Sequence, residues 1–151
     1  MLVKLLRLFV SLSLGFIAGA FGSFFTAPAV GLWYKDLPKP SFAPPNWVFG
    51  PVWTVLYLLM GISLYLVWKK YLKLFVVHLG VNALWSIVFF GFKDIALALV
   101  VIGVLWFVIL YMMVKFYRVN KAASLLLLPY FLWVSFAAYL NFSIILLDNF
   151  S

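Results

Sequence analysis

Apolar residues run through this chain in five long stretches, and polar residues mark the gaps between them. Each stretch has about 20 residues, which as an α-helix crosses a hydrocarbon core of roughly 30 Å. The pattern therefore predicts an all-α, polytopic membrane protein: one domain, residues 1–151, built as a bundle of five transmembrane helices with a long structured first loop. The five predicted spans are residues 5–25, 47–68, 72–92, 95–117 and 122–147.

A cleaved signal peptide is the alternative for the first stretch, because basic residues precede it and residues 18–20 read AGA. The apolar run continues to Phe25, which makes it longer than the usual signal-peptide core of about 7 to 15 residues. Small residues also share one helical face, as close helix packing requires: Gly15, Gly19 and Gly22. These features favour a membrane span.

Composition and charge agree with a bilayer location. Hydrophobic residues make up 68% of the chain and charged residues 9%, whereas soluble proteins have about half and a quarter. Most basic residues fall on one side of the predicted bundle, which by the positive-inside rule predicts a cytoplasmic N-terminus and a C-terminus on the opposite side. They form no basic face, so the net charge of +8 predicts contact with anionic lipid headgroups and no nucleic-acid partner.

The first predicted loop, residues 26–46, is long and aromatic, and the other connections are short. Loops of this length are usually functional or disordered, and the aromatic content argues against disorder. We expect a structured lid over the bundle. The alternative is an interfacial belt in which Trp33 and Tyr34 lie at headgroup depth.

Three helical faces carry aromatic and polar residues at i, i+4 spacing. Asparagine is costly against lipid, so these faces are expected to point into the bundle. Ala137, between larger residues, leaves space for a flat ligand or for a neighbouring helix. The alternative is that the asparagines bond to neighbouring helices and the tryptophans fill volume. The three sets are Trp53 and Tyr57; His78, Asn82 and Trp85; and Pro129, Trp133, Ala137 and Asn141.

The chain lacks the groups of ordinary acid/base and metal chemistry. It has no cysteine and one histidine, and Asp36, Asp94 and Asp148 fall at the predicted membrane edges. We therefore expect no classical enzyme, no metal site and no required cofactor. His78 is expected to make an interhelical hydrogen bond, with axial haem ligation as the alternative.

Along nearly its whole length the chain resembles the TspO/MBR family, which comprises the tryptophan-rich sensory proteins of prokaryotes and the mitochondrial translocator protein, or peripheral benzodiazepine receptor. The WVFGPVWT run at residues 47–54 is highly specific. The other matching residues are WY at 33–34, LPKP at 37–40, Phe42, PP at 44–45, LY at 56–57, MG at 60–61, Asn82, Trp85, FFG at 89–91, LPY at 128–130, Trp133, FA at 136–137 and LN at 140–141.

The resemblance implies a five-helix bundle, commonly a homodimer, with a cavity under the first loop. In the family this cavity binds porphyrins or other tetrapyrroles, sterols, or benzodiazepine-like drugs. The implied ligand-facing residues are Trp33, Tyr34, Trp53, Asn82, Trp133 and Ala137, to which the helical spacing adds Tyr57 and Asn141. In some members of the family, tryptophans at positions like Trp53 and Trp133 are also associated with light-dependent porphyrin breakdown.

We expect a membrane receptor or sensor whose first-choice ligand is a porphyrin. A flat macrocycle suits stacking on tryptophan, and its propionates are expected to reach Lys35 or Lys39. No base follows Tyr139 to complete the sterol-recognition pattern of animal members, which is weak evidence even when intact. The alternatives are a transporter of tetrapyrroles or sterols and a light-dependent porphyrin-degrading enzyme.

Overall fold

The structure, a computed structural model, describes residues 1–150 and is almost entirely helical. Four of its helical segments are long and apolar enough to cross a membrane. This confirms the predicted all-α membrane protein. The helices are α1 (Leu2–Gly31), α2 (Phe49–Ser86), α3 (Ile95–Tyr117), α4 (Lys121–Leu126) and α5 (Leu128–Phe150), with a π-helical turn at Ile87–Gly91 and 3₁₀ turns at Tyr34–Asp36 and Asn46–Val48.

The expectation of five separate helices needs one correction, because the second and third predicted spans form one continuous helical element. Neither Gly nor Pro stands between Gly61 and Gly80 to end that helix. Instead, Val67 and Tyr71 leave the helical conformation, with φ of −122° and −124°. The element therefore has two arms, residues 49–66 and 72–86.

The two arms of α2 fold back on each other. The Tyr57 hydroxyl lies 2.8 Å from Asn82 Oδ1, although the two residues are 25 positions apart. A straight helix would separate them by about 37 Å. The bundle thus has five helical passes made from four long helical segments.

α1 packs tightly against the first arm of α2 through glycines. A Cβ atom built on Gly61 would lie 2.8 Å from Leu12 Cα, and one built on Gly19 would lie 2.5 Å from Tyr57 Cε2. A larger residue at either position would therefore force a neighbour to shift: the backbone of α1 for Gly61 and the Tyr57 ring for Gly19. The small-residue face predicted for α1 is therefore a helix-packing face.

α3 and α4 close the other side of the bundle. The buried residues of α3 recur every three or four positions, as one core-facing stripe requires. Three side-chain hydrogen bonds join these helices to each other, to α2 and to α5. Ser63 Oγ donates to the Ala123 carbonyl at 2.6 Å, Ser124 Oγ to the Met113 carbonyl at 2.8 Å, and Trp106 Nε1 to Ser135 Oγ at 2.8 Å. The α3 stripe is Ala98, Ile102, Leu105, Ile109, Met112 and Phe116.

The inward face of α5 is rotated relative to the predicted one. Tyr130, Val134 and Asn141 are buried, whereas Pro129 is exposed and Trp133 is half-buried. Trp133 thus lies at the side of the helix, where it contacts Phe49. The i, i+4 spacing identified the correct helix but placed the centre of its buried face about one residue away.

Candidate ligand-binding site

A cavity of about 380 Å³ lies between α1 and the two arms of α2, and we call it the interhelical cavity. Its volume is within the range of about 300 to 1,000 Å³ that small-molecule sites occupy. α1 contributes mainly small residues, and α2 with its π-helical turn contributes most of the aromatic rings. The lining residues are Phe16, Gly19, Ala20, Gly22, Ser23, Thr26, Phe49, Gly50, Trp53, Thr54, Tyr57, Trp85, Ser86 and Phe90.

Trp53 forms an aromatic wall of this cavity. Its ring stacks on Tyr57, with centroids 5.6 Å apart and planes at 29°, and it meets Tyr130 edge-on at 6.2 Å. These two ring contacts fix the position of the indole. Trp53 is only half-buried, so part of its surface is free to contact a ligand.

A chain of buried hydrogen bonds fixes the rings behind Trp53. Tyr57 donates to Asn82 Oδ1 at 2.8 Å, and Asn82 Nδ2 donates to the Tyr130 hydroxyl oxygen at 2.8 Å. Tyr130 in turn lies 2.7 Å from His78 Nε2. The chain crosses from one arm of α2 to the other and then to α5, so it sets the relative positions of three passes.

The His78 ring is satisfied at both nitrogens. Nδ1 lies 3.3 Å from the Phe75 carbonyl, which can only accept a hydrogen bond, so Nδ1 carries the proton. Nε2 then accepts from the Tyr130 hydroxyl. The predicted interhelical hydrogen bond of His78 is confirmed, and no nitrogen is free for a haem iron.

The space between Trp53 and Trp133 is much smaller than the predicted hollow. It has a volume of about 20 Å³, enough for about one water molecule. Phe89 and Phe90, whose ring centroids are 4.7 Å apart, fill most of the room beneath the loop. Of the predicted site residues, those that line this small space are Tyr34, Trp53, Trp133, Ala137 and Asn141.

The remaining predicted residues have other positions. Trp33 packs edge-on against Phe89 at 5.7 Å and lines neither cavity. Asn82 is 3% exposed and is engaged on both sides of its amide by tyrosines. Asn141 accepts from Trp85 Nε1 at 3.3 Å and donates to the Ile95 carbonyl at 2.9 Å. Both asparagines thus make the hydrogen bonds between helical passes that the alternative interpretation expected.

The first loop is structured and packs over the smaller space. Tyr34 is 2% exposed, and its ring contacts Phe49, Phe89 and Phe90. Burial raises the pKa of the Tyr34 phenol to about 12, so its hydroxyl remains protonated. Among the residues that the structure describes, this hydroxyl has no hydrogen-bond partner.

Lys39 holds the loop together and is not available to a ligand carboxylate. Its Nζ donates to the carbonyls of Tyr34, Lys35 and Leu37 at 2.7, 3.1 and 3.1 Å. Burial lowers the pKa of this ammonium, and the nearby Asp36 opposes the effect. Of the two lysines expected to meet propionates, only Lys35 is exposed.

Sequence analysis did not identify the α1 residues of the cavity wall, because most of them have small side chains without a distinctive functional group. Gly19 and Gly22 were interpreted only as packing residues, and the packing is real. They also help to form the cavity, because a glycine has no side chain to fill the space opposite the aromatic rings. The combination of a small-residue face with aromatic residues on the next span was the available signal.

Known proteins resemble this chain over most of its length. The profile of the TspO/MBR family matches residues 9–147. The chain is similar to the tryptophan-rich protein TspO of Archaeoglobus fulgidus, 44% identical over 97% of this chain and 99% of the relative. It is also similar to the tryptophan-rich sensory protein of Cereibacter sphaeroides, 38% identical over 73% of each chain, and to the human translocator protein, 38% identical over 74% of this chain and 72% of the relative.

Proposed function

Since the chain belongs to the TspO/MBR family of membrane sensor and translocator proteins, we propose that it is a membrane receptor for hydrophobic ligands, with porphyrin-type tetrapyrroles as the first choice. The ligand occupies the interhelical cavity and stacks on Trp53. The observation that carries this proposal is the cavity of about 380 Å³ with a supported tryptophan in its wall. The relatives' names, sensory protein and translocator protein, favour ligand recognition over an enzyme with ordinary acid/base groups.

The chemistry of the wall suits a flat apolar ligand. No charged side chain is among the cavity's lining residues. Aromatic rings stabilise a planar macrocycle by offset stacking and edge contacts, each worth about 0.5 to 1.5 kcal/mol beyond the buried area. A carboxylate would be costly inside such a wall, so any propionates of a bound porphyrin are expected to lie outside the cavity.

The test is a porphyrin titration followed by quenching of tryptophan fluorescence, performed in the dark. Trp53→Ala is expected to weaken binding by about tenfold or more. A tenfold change in Kd corresponds to about 1.4 kcal/mol, and the loss of one aromatic stacking contact has about the same free energy. Trp106→Ala is the matched control, since Trp106 is a half-buried tryptophan on α3 outside the cavity.

The outcome of the titration separates two positions for the ligand. If Trp53→Ala binds like the native protein, the proposed site is wrong. If Trp133→Ala loses as much affinity as Trp53→Ala, the ligand lies between the two tryptophans and that space must open on binding. Circular dichroism and thermal unfolding of each variant show whether a loss of affinity reflects a loss of the fold.

Light-dependent oxidation of the bound porphyrin, with molecular oxygen as the oxidant, is a second candidate function. It is favoured by the position of Trp53, which faces the cavity and contacts two tyrosine rings on its other side. Repeating the titration under illumination distinguishes the two functions. A receptor retains the porphyrin absorbance, whereas an oxidising enzyme bleaches it in the native protein and not in Trp53→Ala.

A further inference from the structure

The interhelical cavity has a buried floor and an exposed rim. Its floor includes Gly22, Tyr57 and Phe90, which are buried. Its rim consists of exposed residues from two neighbouring passes: Phe16, Ala20 and Ser23 on α1, and Gly50 and Thr54 on α2. The opening therefore lies on the side of the bundle, between α1 and the first arm of α2.

This opening lies between two helical elements that are predicted to span the membrane. α1 and the α2 element are both long and apolar enough to span the membrane, and α1 carries no charged residue after Arg7. The opening is therefore expected to face lipid. None of the residues of the first loop between 32 and 48 lines the cavity. A ligand arriving from water through the loop would have to displace Tyr34 and the phenylalanines beneath it.

Three hydroxyl groups at or near the rim are hydrogen-bonded within their own helices. Ser23, Thr26 and Thr54 each donate to a carbonyl of their own helix, at 2.9, 3.0 and 2.8 Å. These bonds satisfy the hydroxyl protons within the helix, which lowers the cost of facing acyl chains. The opening is thus lined by small side chains whose hydroxyl groups already have hydrogen-bond acceptors in their own helices.

Two polar atoms of the cavity wall remain available to a ligand. In the described part of the chain, neither Trp53 Nε1 nor Ser86 Oγ has a hydrogen-bond partner. The other polar side chains of the wall are engaged, including Tyr57 with Asn82 and Trp85 with Asn141. Since an indole N–H only donates, a complementary ligand carries a hydrogen-bond acceptor such as a carbonyl oxygen.

We propose that the interhelical cavity takes its ligand directly from the bilayer, through the opening between α1 and the first arm of α2, and that the ligand is an uncharged, planar lipophile with a hydrogen-bond acceptor. The inference rests on the proposed receptor function and adds the route and the ligand class. The route follows from the position of the exposed rim residues. The ligand class follows from the uncharged aromatic wall and its two free polar atoms.

A probe that cannot leave the membrane tests the route. We would use a phosphatidylcholine with a pyrene ring on a short acyl chain, because the pyrene reaches the opening only from within the bilayer. The protein is reconstituted in lipid nanodiscs, and energy transfer from tryptophan to pyrene is measured as the probe fraction increases. We expect a saturable component that protoporphyrin dimethyl ester removes by competition.

Substitutions at the rim locate the entry. Ala20→Phe fills the opening from an exposed position and is expected to abolish the saturable component, and Ser23→Phe is an independent second variant at the same edge. Ile17→Phe is the control, since Ile17 is 65% exposed on the same helix and does not line the cavity. The control is expected to retain the native saturation curve.

The results distinguish the route from the function. If the free porphyrin ester binds but the anchored pyrene gives only unsaturable transfer that is equal in all variants, lateral entry is wrong and the receptor function stands. If neither probe binds, both proposals fail. If the porphyrin diacid binds more tightly than its dimethyl ester, the uncharged ligand class is wrong. The native-protein titration decides the route even if a rim variant does not fold.

Discussion

At the scale of single residues, the site depends on how Trp53 is supported. Its indole rests on Tyr57 and meets Tyr130, and both tyrosines are held by Asn82. The hydrogen-bond chain ends at His78, whose second nitrogen is bonded to the backbone. Because every member has a partner, the chain sets one arrangement of the rings and pre-organises the cavity wall.

Removing one hydroxyl from this chain is expected to destabilise the protein. Interhelical hydrogen bonds in membranes average only about 0.6 kcal/mol each, but Tyr130→Phe leaves both Asn82 Nδ2 and His78 Nε2 unpaired in a buried place. The expected cost is about 1 to 3 kcal/mol in the free energy of unfolding. Denaturant unfolding of the detergent-solubilised protein measures it.

Tyr139→Phe is the control for that prediction. Tyr139 is 59% exposed and stacks on Phe42 through its ring, so loss of its hydroxyl should leave stability within about 0.5 kcal/mol of the native value. Equal stability of Tyr130→Phe and Tyr139→Phe would mean that the buried chain does not hold the passes together.

At the scale of elements, the contact between α1 and α2 forms both the fold and the cavity. The glycines of α1 and Gly61 let the helices approach at one end. Further along, Tyr57 occupies the room beside Gly15 and Gly19, and the space beyond it remains open as the cavity. The closeness of this contact decides the width of the cavity.

A methyl group at Gly61 is expected to disturb this contact. Its Cβ would lie 2.8 Å from Leu12 Cα, a backbone atom that moves only if α1 moves. Overpacking typically costs about 1 to 3 kcal/mol, which outweighs the gain of up to about 1 kcal/mol in helix propensity for Gly→Ala. Gly61→Ala should therefore lower the unfolding free energy and weaken porphyrin binding.

Gly103→Ala is expected to change the free energy of unfolding in the opposite direction. A Cβ at Gly103 would meet no atom within 4 Å, so only the helix-propensity gain applies. Its unfolding free energy is expected to equal or exceed the native value. If Gly61→Ala and Gly103→Ala shift thermal unfolding in the same direction, the two helices do not pack as closely as the structure indicates.

Helical elements could be predicted from this sequence better than the space between them. The apolar runs gave the passes to within about six residues, and the largest difference is α1, which ends at Gly31 where the prediction ended at Phe25. The second and third predicted spans are one element because the chain turns at two non-helical residues, Val67 and Tyr71, with no Gly or Pro to end the helix. The fifth predicted span is divided at Leu127 into α4 and α5. Helical spacing also identified Trp53 and Tyr57 as neighbours. It could not say that Phe89 and Phe90 would fill the room beside Trp133.

That failure has a physical reason. The π-helical turn at Ile87–Gly91 shifts the register of the chain, so the 3.6-residue period no longer predicts where Phe89 and Phe90 point. The positions of the small α1 residues opposite Trp53 depend on the packing of two helices, which no single-helix pattern contains. Trp53 lines both the small space beside Trp133 and the larger interhelical cavity, and Trp133 lines only the former of these two.

At the scale of the whole molecule, the chain is an integral membrane protein whose interhelical cavity opens sideways, between α1 and α2. The first loop closes the end of the bundle, with Lys39 bonded to three carbonyls and Tyr34 buried. A closed end and an open side suit a ligand that partitions into lipid. The predicted cytoplasmic N-terminus stays a prediction from the distribution of basic residues.

The central claim is that a hydrophobic ligand lies in the interhelical cavity, and protection of an introduced thiol measures this most directly. The native chain has no cysteine, so Ser86→Cys places a single thiol at the cavity wall, and Ser13→Cys places one on α1 outside it. The rate of modification by a membrane-permeant maleimide is measured with and without protoporphyrin dimethyl ester. We predict that saturating porphyrin slows modification of Ser86→Cys and leaves Ser13→Cys unchanged. Equal rates at Ser86→Cys with and without bound porphyrin would contradict the account.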